Sequence, residues 1–173
     1  YAYAQRAIIK FQYGKDYQSA LDDMNQALKL DPNMTSYYLN RGIIRYYMDD
    51  LRGTMADYDR VIELDANNLM AHYNRGLLRM QVGERNKAIE DFSFVLKYEP
   101  DNFFAIYNRA ILYDQLGNYR AAIKDYDKVL AHYPDFSSGY FARSEAKRKI
   151  NDTAGGEKDY KKAIALYEQQ KQT

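Results

Sequence analysis

The stretch that decides the fold is residues 69–102, which read LMAHYNRGLLRMQVGERNKAIEDFSFVLKYEPDN. Apolar residues recur at three- and four-residue steps, first around Leu78 and again over 88–96, which is the spacing of two amphipathic helices. Gly83 separates the two runs, and Pro100 ends the second run because proline cannot continue a helix. The stretch therefore predicts a helix, a tight turn, a second helix and a closing turn.

The same pattern recurs every 34 residues, about five times along the chain. Its rows are a small-residue row (Ala20, Thr54, Ala88, Ala122, Gly156), a large-residue row (Met24, Tyr58, Phe92, Tyr126, Tyr160), a third apolar row (Ala27, Val61, Val95, Val129, Ala163) and the closing prolines Pro32, Pro100 and Pro134. The repeat predicts an all-α fold, a single solenoid over 1–173 in which each unit buries its apolar face against its neighbours. We expect units at about 1–34, 35–68, 69–102, 103–136 and 137–173. Because Tyr1 already lies in a predicted helix, we also expect the chain to be a fragment of a longer protein.

Composition and motifs favour neither an enzyme nor a nucleic-acid-binding protein. The chain has 25 Lys and Arg against 24 Asp and Glu without a basic block, and it has no apolar run long enough to span a membrane. It has no cysteine, and His72 and His132 have no partner at metal-ligand spacing. No phosphate loop or nucleophile motif is present. We therefore expect no catalysis, no cofactor and no metal.

The repeat resembles the tetratricopeptide repeat family over essentially the whole chain. The residues that carry the resemblance are the Gly42, Gly76 and Ala110 row of the first helices, the small and large rows of the second helices, and the closing prolines. The resemblance implies a right-handed superhelix whose concave face is lined by the first helix of each unit and usually holds a peptide.

The first and last units depart from the pattern. Residues 5–7 match 108–110 with one residue fewer before the match, and the turn at 14–17 has one residue more than the turn at 117–119. We therefore predict a one-residue shift of the first helix that is compensated in the turn. In the last unit, polar residues on the first helix and in the tail predict a polar, capping end.

Two charged rows keep the period through all five units. The first helices carry Arg6, Arg41, Arg75, Arg109 and Arg143, and the second helices carry Asp23, Asp57, Asp91, Asp125 and Asp159. Such rows could bind an anion or a phosphopeptide. Charges of opposite sign at the period of the fold are more simply a structural ion-pair ladder between packed helices, and the planar arginine fork suits a partly buried carboxylate. We favour the ladder.

An amide row lies directly before the arginines and consists of Gln5, Asn40, Asn74 and Asn108, with Ala142 in the last unit. One helical step turns the side chain by about 100 degrees, so an amide beside a buried arginine points toward the concave side. A side-chain amide can pair with either group of a peptide backbone. Such a row is similar to the one that lines the tetratricopeptide superhelix of O-GlcNAc transferase, where it grips extended peptide. The alternative is that these amides only cap helices or pair with neighbours.

Helical spacing around the amides predicts the rest of a peptide groove. Its residues are Tyr47, Met70, Tyr73, Leu77, Phe104, Tyr107 and Ile111. This lining is apolar and offers no cation to clamp a C-terminal carboxylate, which argues against binding of acidic chaperone tails. The alternative is that the aromatic residues belong to the core between helices.

We therefore expect a protein–protein interaction scaffold or adaptor that binds a peptide or partner segment in its concave groove. Two alternatives remain open. The chain could be the targeting arm of a larger enzyme such as a glycosyltransferase, or it could self-associate as a homo-oligomer through apolar surface on its first repeat.

Overall fold

The computed structural model describes residues 1–171, and all regular structure in this range is helical. The helices are α1 (Ala2–Ile9), a π-helix (Lys10–Gly14), α2 (Tyr17–Leu30), α3 (Thr35–Tyr47), α4 (Leu51–Leu64), α5 (Leu69–Gln81), α6 (Arg85–Tyr98), α7 (Phe103–Gln115), α8 (Tyr119–His132), α9 (Ser137–Lys149) and α10 (Thr153–Lys171). The prediction of an all-α chain of helix pairs is confirmed. None of these helices, which cover the described part of the chain, is long and apolar enough to cross a membrane.

Capping residues explain where four of the five second helices begin. Asp16, Asp50, Asn118 and Asp152 each accept a hydrogen bond from the backbone N–H three residues later. Such a side-chain oxygen satisfies one of the N–H groups that a helix leaves without an intrahelical partner at its start. Short polar turns then connect successive helices, so neighbouring helices run antiparallel.

The rows of the repeat form the core. Ala20, Ala88 and Ala122 are fully buried, as is Thr54, and the large-residue row is buried from Met24 through Tyr126. Small residues let the paired helices approach closely. At Gly42, for example, an added Cβ would lie only 2.7 Å from Cε1 of Tyr58, so a larger residue would not fit without a shift. The period of the sequence therefore marks the residues that hold each helix pair together.

The chain divides into two compact units, Tyr1–Leu78 and Arg79–Thr173. In the first unit, α2 packs against α1 and α3, and α3 packs against α4. In the second unit, α7 packs against α6 and α8, and α9 packs against α8 and α10. Each helix in these sets thus contacts its neighbours in sequence, as expected of repeats that stack in one dimension.

The irregularity of the first repeat is a π-helix. Residues 10–14 form this wider turn directly after α1, and Lys15 follows in the left-handed conformation. The extra residue changes the spacing of the charged rows, because Arg6 and Asp23 are 17 residues apart whereas Arg41 and Asp57 are 16 apart. The one-residue shift of the first helix is confirmed, and the extra residue lies in the last turn of the helix.

The turn inside each helix pair contains one residue in the left-handed conformation. These residues are spaced by 34 and are Lys15 (φ 49°), Asp49 (φ 62°), Gly83 (φ 84°), Gly117 (φ 76°) and Asn151 (φ 66°). Glycine adopts this conformation without steric cost, whereas a residue with a Cβ adopts it only at a cost in conformational energy. The first, second and last repeats therefore hold a mildly strained residue where the third and fourth hold glycine.

This row gives a matched pair of stability predictions. We expect Lys15→Gly to raise the free energy of unfolding by about 0.5–1 kcal/mol, because it removes the strain of a positive φ. We expect Gly117→Ala to lower it by about 1 kcal/mol. A Cβ at Gly117 meets no atom within 4 Å, so backbone strain alone accounts for the loss. Urea unfolding followed by circular dichroism measures both, and changes of the same sign in the two variants would contradict the argument.

Candidate functional site

In four of the five repeats, the arginine of the first helix binds the aspartate of the second helix. Arg109 donates from Nε and Nη2 to the two carboxylate oxygens of Asp125 at 2.7 and 2.8 Å, and Arg143 does the same to Asp159 at 2.7 Å each. Arg6 binds Asp23 in the same two-pronged way, and Arg41 binds Asp57 from both nitrogens. The carboxylates are buried. Two parallel charge-assisted hydrogen bonds fix both distance and orientation between the helices.

The third arginine nitrogen reaches back to the preceding repeat. Nη1 of Arg41, Arg75, Arg109 and Arg143 donates to a side-chain oxygen 16 residues earlier, on Asn25, Asp59, Ser93 and Asp127 respectively, at 2.7–3.0 Å. Each of these arginines therefore contacts the second helix of the repeat before it. For Arg41, Arg109 and Arg143, the same guanidinium joins that helix to the second helix of its own repeat. These contacts support the structural interpretation of the two charged rows over an anion-binding one.

A second row of cations lies one helical turn after the arginines. Lys10, Arg45, Arg79 and Lys147 each place a side-chain nitrogen 2.8 Å from the carboxylate of Asp23, Asp57, Asp91 and Asp159 respectively. The fourth repeat has Tyr113 in this position, and its ring lies 5.8 Å from the guanidinium carbon of Arg109. The sequence carries a signal for this row, namely a cation four residues after four of the five arginines, with Tyr113 after Arg109.

The contacts with two cations lower the pKa of Asp23 and of Asp159. Hydrogen bonds from Arg6 and Lys10 lower the pKa of Asp23 to about 2 despite the opposing effect of burial. Burial raises the pKa of Asp159, but hydrogen bonds from Arg143 and Lys147 outweigh it, so the net shift of the pKa is downward. Both carboxylates are therefore ionised in the folded protein near neutral pH.

The amide row lies at the surface of the first helices. Gln5 is exposed, and Asn40, Asn74 and Asn108 are half-buried. Asn108 takes part in an interaction within the protein. On α5 the neighbours of Asn74 at helical spacing are Met70 and Leu77, both exposed. This face of α5 therefore carries an amide beside solvent-exposed apolar side chains.

A small pocket lies beside Asn74 in the first unit. It encloses about 200 Å³ and is lined by Ile43, Tyr46, Tyr58, Asn74, Leu77 and Leu78. The structure thus brings two residues of the predicted groove, Asn74 and Leu77, together around a concave and largely apolar space. Tyr47, which follows Tyr46 in the sequence, is exposed, and its ring lies 5.1 Å from that of Phe11.

The predicted groove residues of α7 fall into two environments. Phe104 is exposed and Ile111 is half-buried. Tyr107 is half-buried in an aromatic cluster instead, with its ring 5.0 Å from Phe136 and 6.1 Å from Tyr126, and burial raises its pKa. Tyr107 therefore takes part in packing between helices, which was the alternative for the aromatic stripe. Tyr73 is half-buried and has a partner within the protein.

The described residues 1–171 contain no candidate metal site. No group of three or more His, Cys, Asp or Glu side chains in this range could hold a metal ion. His72 is buried with Nε2 3.0 Å from the carbonyl oxygen of Ala66, and Nδ1 of His132 lies 3.0 Å from the carbonyl oxygen of Lys128. Both histidines thus bind backbone carbonyls of neighbouring turns.

The chain consists of helix pairs that are joined by arginine–aspartate ion pairs, and its first helices carry amide and apolar side chains at their surface. This architecture is that of a helical-repeat protein. Residues 104–136 match the model of the tetratricopeptide repeat. This stretch is therefore a tetratricopeptide repeat, and solved structures share the fold of nearly the whole chain.

Solved structures share this fold at low sequence identity. A crystal structure of MamA is 22% identical and covers 96% of this chain and 97% of its own, with a TM-score of 0.89. MamA 41-end from Desulfovibrio magneticus RS-1 is 18% identical, covers 98% and 95%, and has a TM-score of 0.89. A tetratricopeptide repeat protein from Parabacteroides merdae is 23% identical, covers 96% and 69%, and has a TM-score of 0.86. No curated protein sequence matches the chain.

The two cation rows predict unequal costs for removing an arginine. Arg109→Gln leaves buried Asp125 without a cation, because Tyr113 replaces the second one, and we expect a loss of about 3 kcal/mol in the free energy of unfolding. Arg41→Gln leaves Arg45 on Asp57 and should cost about half as much. Urea unfolding and hydrogen exchange of α8 and α4 measure the two effects. Equal losses would show that the second cation contributes nothing.

The lowered pKa of Asp23 predicts a window of acid sensitivity. An aspartate in an unfolded chain has a pKa of about 3.9, whereas folded Asp23 has a pKa of about 2. The stabilisation from Asp23 is therefore present above about pH 4 and is lost as the pH falls through about 2. We expect an NMR titration midpoint near 2 for its carboxyl carbon, and Arg6→Ala should raise that midpoint. A midpoint near 4 in the parent protein would refute the ion pair.

Proposed function

We propose that the chain is a protein–protein interaction scaffold whose first helices bind a peptide or an extended partner segment. The observation that carries this proposal is the pocket of the first unit, where the amide of Asn74 lies beside apolar Leu77 and Ile43. Such a space accepts one apolar side chain, and the adjacent amide can donate to or accept from the peptide backbone. Tetratricopeptide repeats commonly bind peptides on this face, which supports the same interpretation.

The surrounding surface fits an apolar peptide. Met70 on α5 and Tyr47 on α3 are each more than half exposed. Exposed side chains of this size are common singly, but these lie on the faces that also carry the amide row. The ligand is therefore a segment with spaced apolar side chains, gripped through its backbone by amides. Asn40, Asn74 and Gln5 are the amides of the first compact unit that we propose for this role, and Asn108 is the corresponding amide of the second unit.

Loss of two amides should weaken peptide binding without unfolding the protein. Peptides selected from a random display library against the parent protein provide the probe. We expect the double variant Asn40→Ala and Asn74→Ala to bind them about tenfold more weakly, since each lost hydrogen bond contributes about 0.5–1.5 kcal/mol. Fluorescence anisotropy measures the affinity, and thermal unfolding should change little because both amides lie at the surface.

Two controls separate binding from structure. Asn86→Ala changes an exposed amide on a second helix and should leave both affinity and stability unchanged. Leu77→Asp places a charge beside the pocket and should abolish binding of the same peptides. Unchanged affinity in the amide double variant would overturn the proposed grip, and a parallel loss of affinity and stability would make the amides structural.

Self-association is a second candidate, because the first repeat carries exposed apolar side chains. Ile9, Tyr13 and Tyr3 are all exposed at its surface. A second copy could cover them. Sedimentation at several protein concentrations tests this directly, and a constant monomer mass would remove the candidate without affecting the peptide-binding proposal.

A further inference from the structure

A second concave surface lies on the last helix pair, away from the amide row. We call it the end socket, and its residues are Ser137, Ser138, Phe141, Ala163, Ile164 and Tyr167. It encloses about 220 Å³ between α9 and α10. Phe141, Ile164 and Tyr167 are exposed there. The outer face of the last repeat is therefore less polar than its sequence predicts. Apolar side chains thus form part of the outer face of this helix pair.

One repeat earlier, the equivalent place is filled by the next helix of the chain. The residues 34 positions before the end socket are Phe103, Phe104, Tyr107, Val129, Leu130 and Tyr133. Phe136, which immediately precedes α9, packs there with its ring 5.4 Å from Phe103 and 5.0 Å from Tyr107. Gly139 follows three residues later and comes so close that a Cβ on it would lie 3.0 Å from Cδ2 of Leu130.

Exposure shows which of the two places is covered. Leu130 is 5% exposed under α9, whereas Ile164, its equivalent on α10, is 39% exposed. Leu28, the equivalent in the first repeat, is buried as well, and Ile62 and Leu96, the equivalents in the second and third repeats, are half-buried. The end socket therefore corresponds in position to the α8–α9 junction, at which Phe136 and Gly139 pack, with Ser137 and Ser138 where that junction has Phe103 and Phe104.

The charge at this junction differs from that of the internal ones. At each internal junction, the arginine of the incoming repeat donates to an acceptor of the preceding second helix, and these acceptors are Asn25, Asp59, Ser93 and Asp127. The next member of this row is Lys161, whose side chain is 75% exposed and lies 3.4 Å from Glu157. A lysine repels an arginine and attracts a carboxylate, so the end socket selects an acidic residue in that position.

We propose that the end socket binds an amphipathic helix of a partner protein. The helix offers an aromatic residue just before its first turn, as Phe136 does, and a small residue in the place of Gly139. It carries an acidic residue in the place of Arg143, where it meets Lys161. This is a helix-on-face mode of recognition that reuses the geometry of the α8–α9 junction.

A second copy of the chain does not fit the end socket. If α1 of another copy were stacked as the next repeat, Arg6 would occupy the place of Arg143 and would face Lys161. Two cations then meet where every described internal junction has a donor and an acceptor. The charge at this point therefore favours an occupant with an acidic residue there over a second copy of this chain.

A helical peptide taken from this chain provides the probe. It comprises residues 134–150 and carries two substitutions, Arg143→Glu and Phe141→Lys. A lactam joins the side chain at position 141 to that of Glu145 on the face away from the socket, and this bond stabilises the helix. We expect it to bind the 173-residue chain, as measured by fluorescence anisotropy. The same peptide with Arg143 retained should bind about threefold more weakly. That difference should vanish at high salt, and Phe136→Ala in the peptide should reduce affinity roughly tenfold.

Protein variants locate the site. Ile164→Asp should abolish binding with little change in melting temperature, because Ile164 is partly exposed, while Leu116→Asp at another exposed apolar position should have no effect. Lys161→Glu should reverse the preference between the two peptides, which a merely structural role of Lys161 would not do. The proposal is overturned if neither peptide binds, if Ile164→Asp binds as the parent does, or if Lys161→Glu keeps the original preference. Dimers of the chain that Ile164→Asp dissociates would also overturn it, in favour of a second copy.

Discussion

The guanidinium of the first-helix arginine is the interaction on which the stacking of helix pairs depends. In Arg109 and Arg143, two nitrogens hold the buried aspartate of the same repeat, and the third holds the second helix of the repeat before. Three helices thus meet at one side chain. Since a guanidinium is planar and cannot be deprotonated at ordinary pH, it fixes their relative orientation more strictly than apolar packing alone.

This arrangement separates residues that hold the fold from residues at the surface of the first helices. An arginine that turns toward the packed second helices leaves the preceding residue, which is Asn40, Asn74 or Asn108, about 100 degrees around the helix. The structure places these amides at half-buried surface positions and the aspartates in the interior. Amides and exposed apolar residues can therefore vary between repeats without disturbing the ion pairs beneath them.

The sequence predicts the helix pairs well because the same residues recur at the same spacing and each row has one environment. Tyr58 and Phe92 are buried as expected, and the displaced first helix follows from counting residues between Arg6 and Asp23. Other features depend on chemistry that does not repeat. The third arginine contact uses an amide, a hydroxyl or a carboxylate in different repeats, so no single residue type marks its row. Tyr107 and Phe104 look equivalent in a helical pattern, yet Tyr107 packs against Phe136 whereas Phe104 is exposed.

The 16- and 17-residue separations within the ladder have a consequence for how the chain folds. Every contact of the ladder joins neighbouring helices, so each helix pair can form before distant parts of the chain have met. Folding can start at any repeat and spread in either direction, and unfolding can proceed from an end while the middle stays intact. Proteolysis near a terminus would then shorten the chain by whole repeats rather than destroy it in a single step.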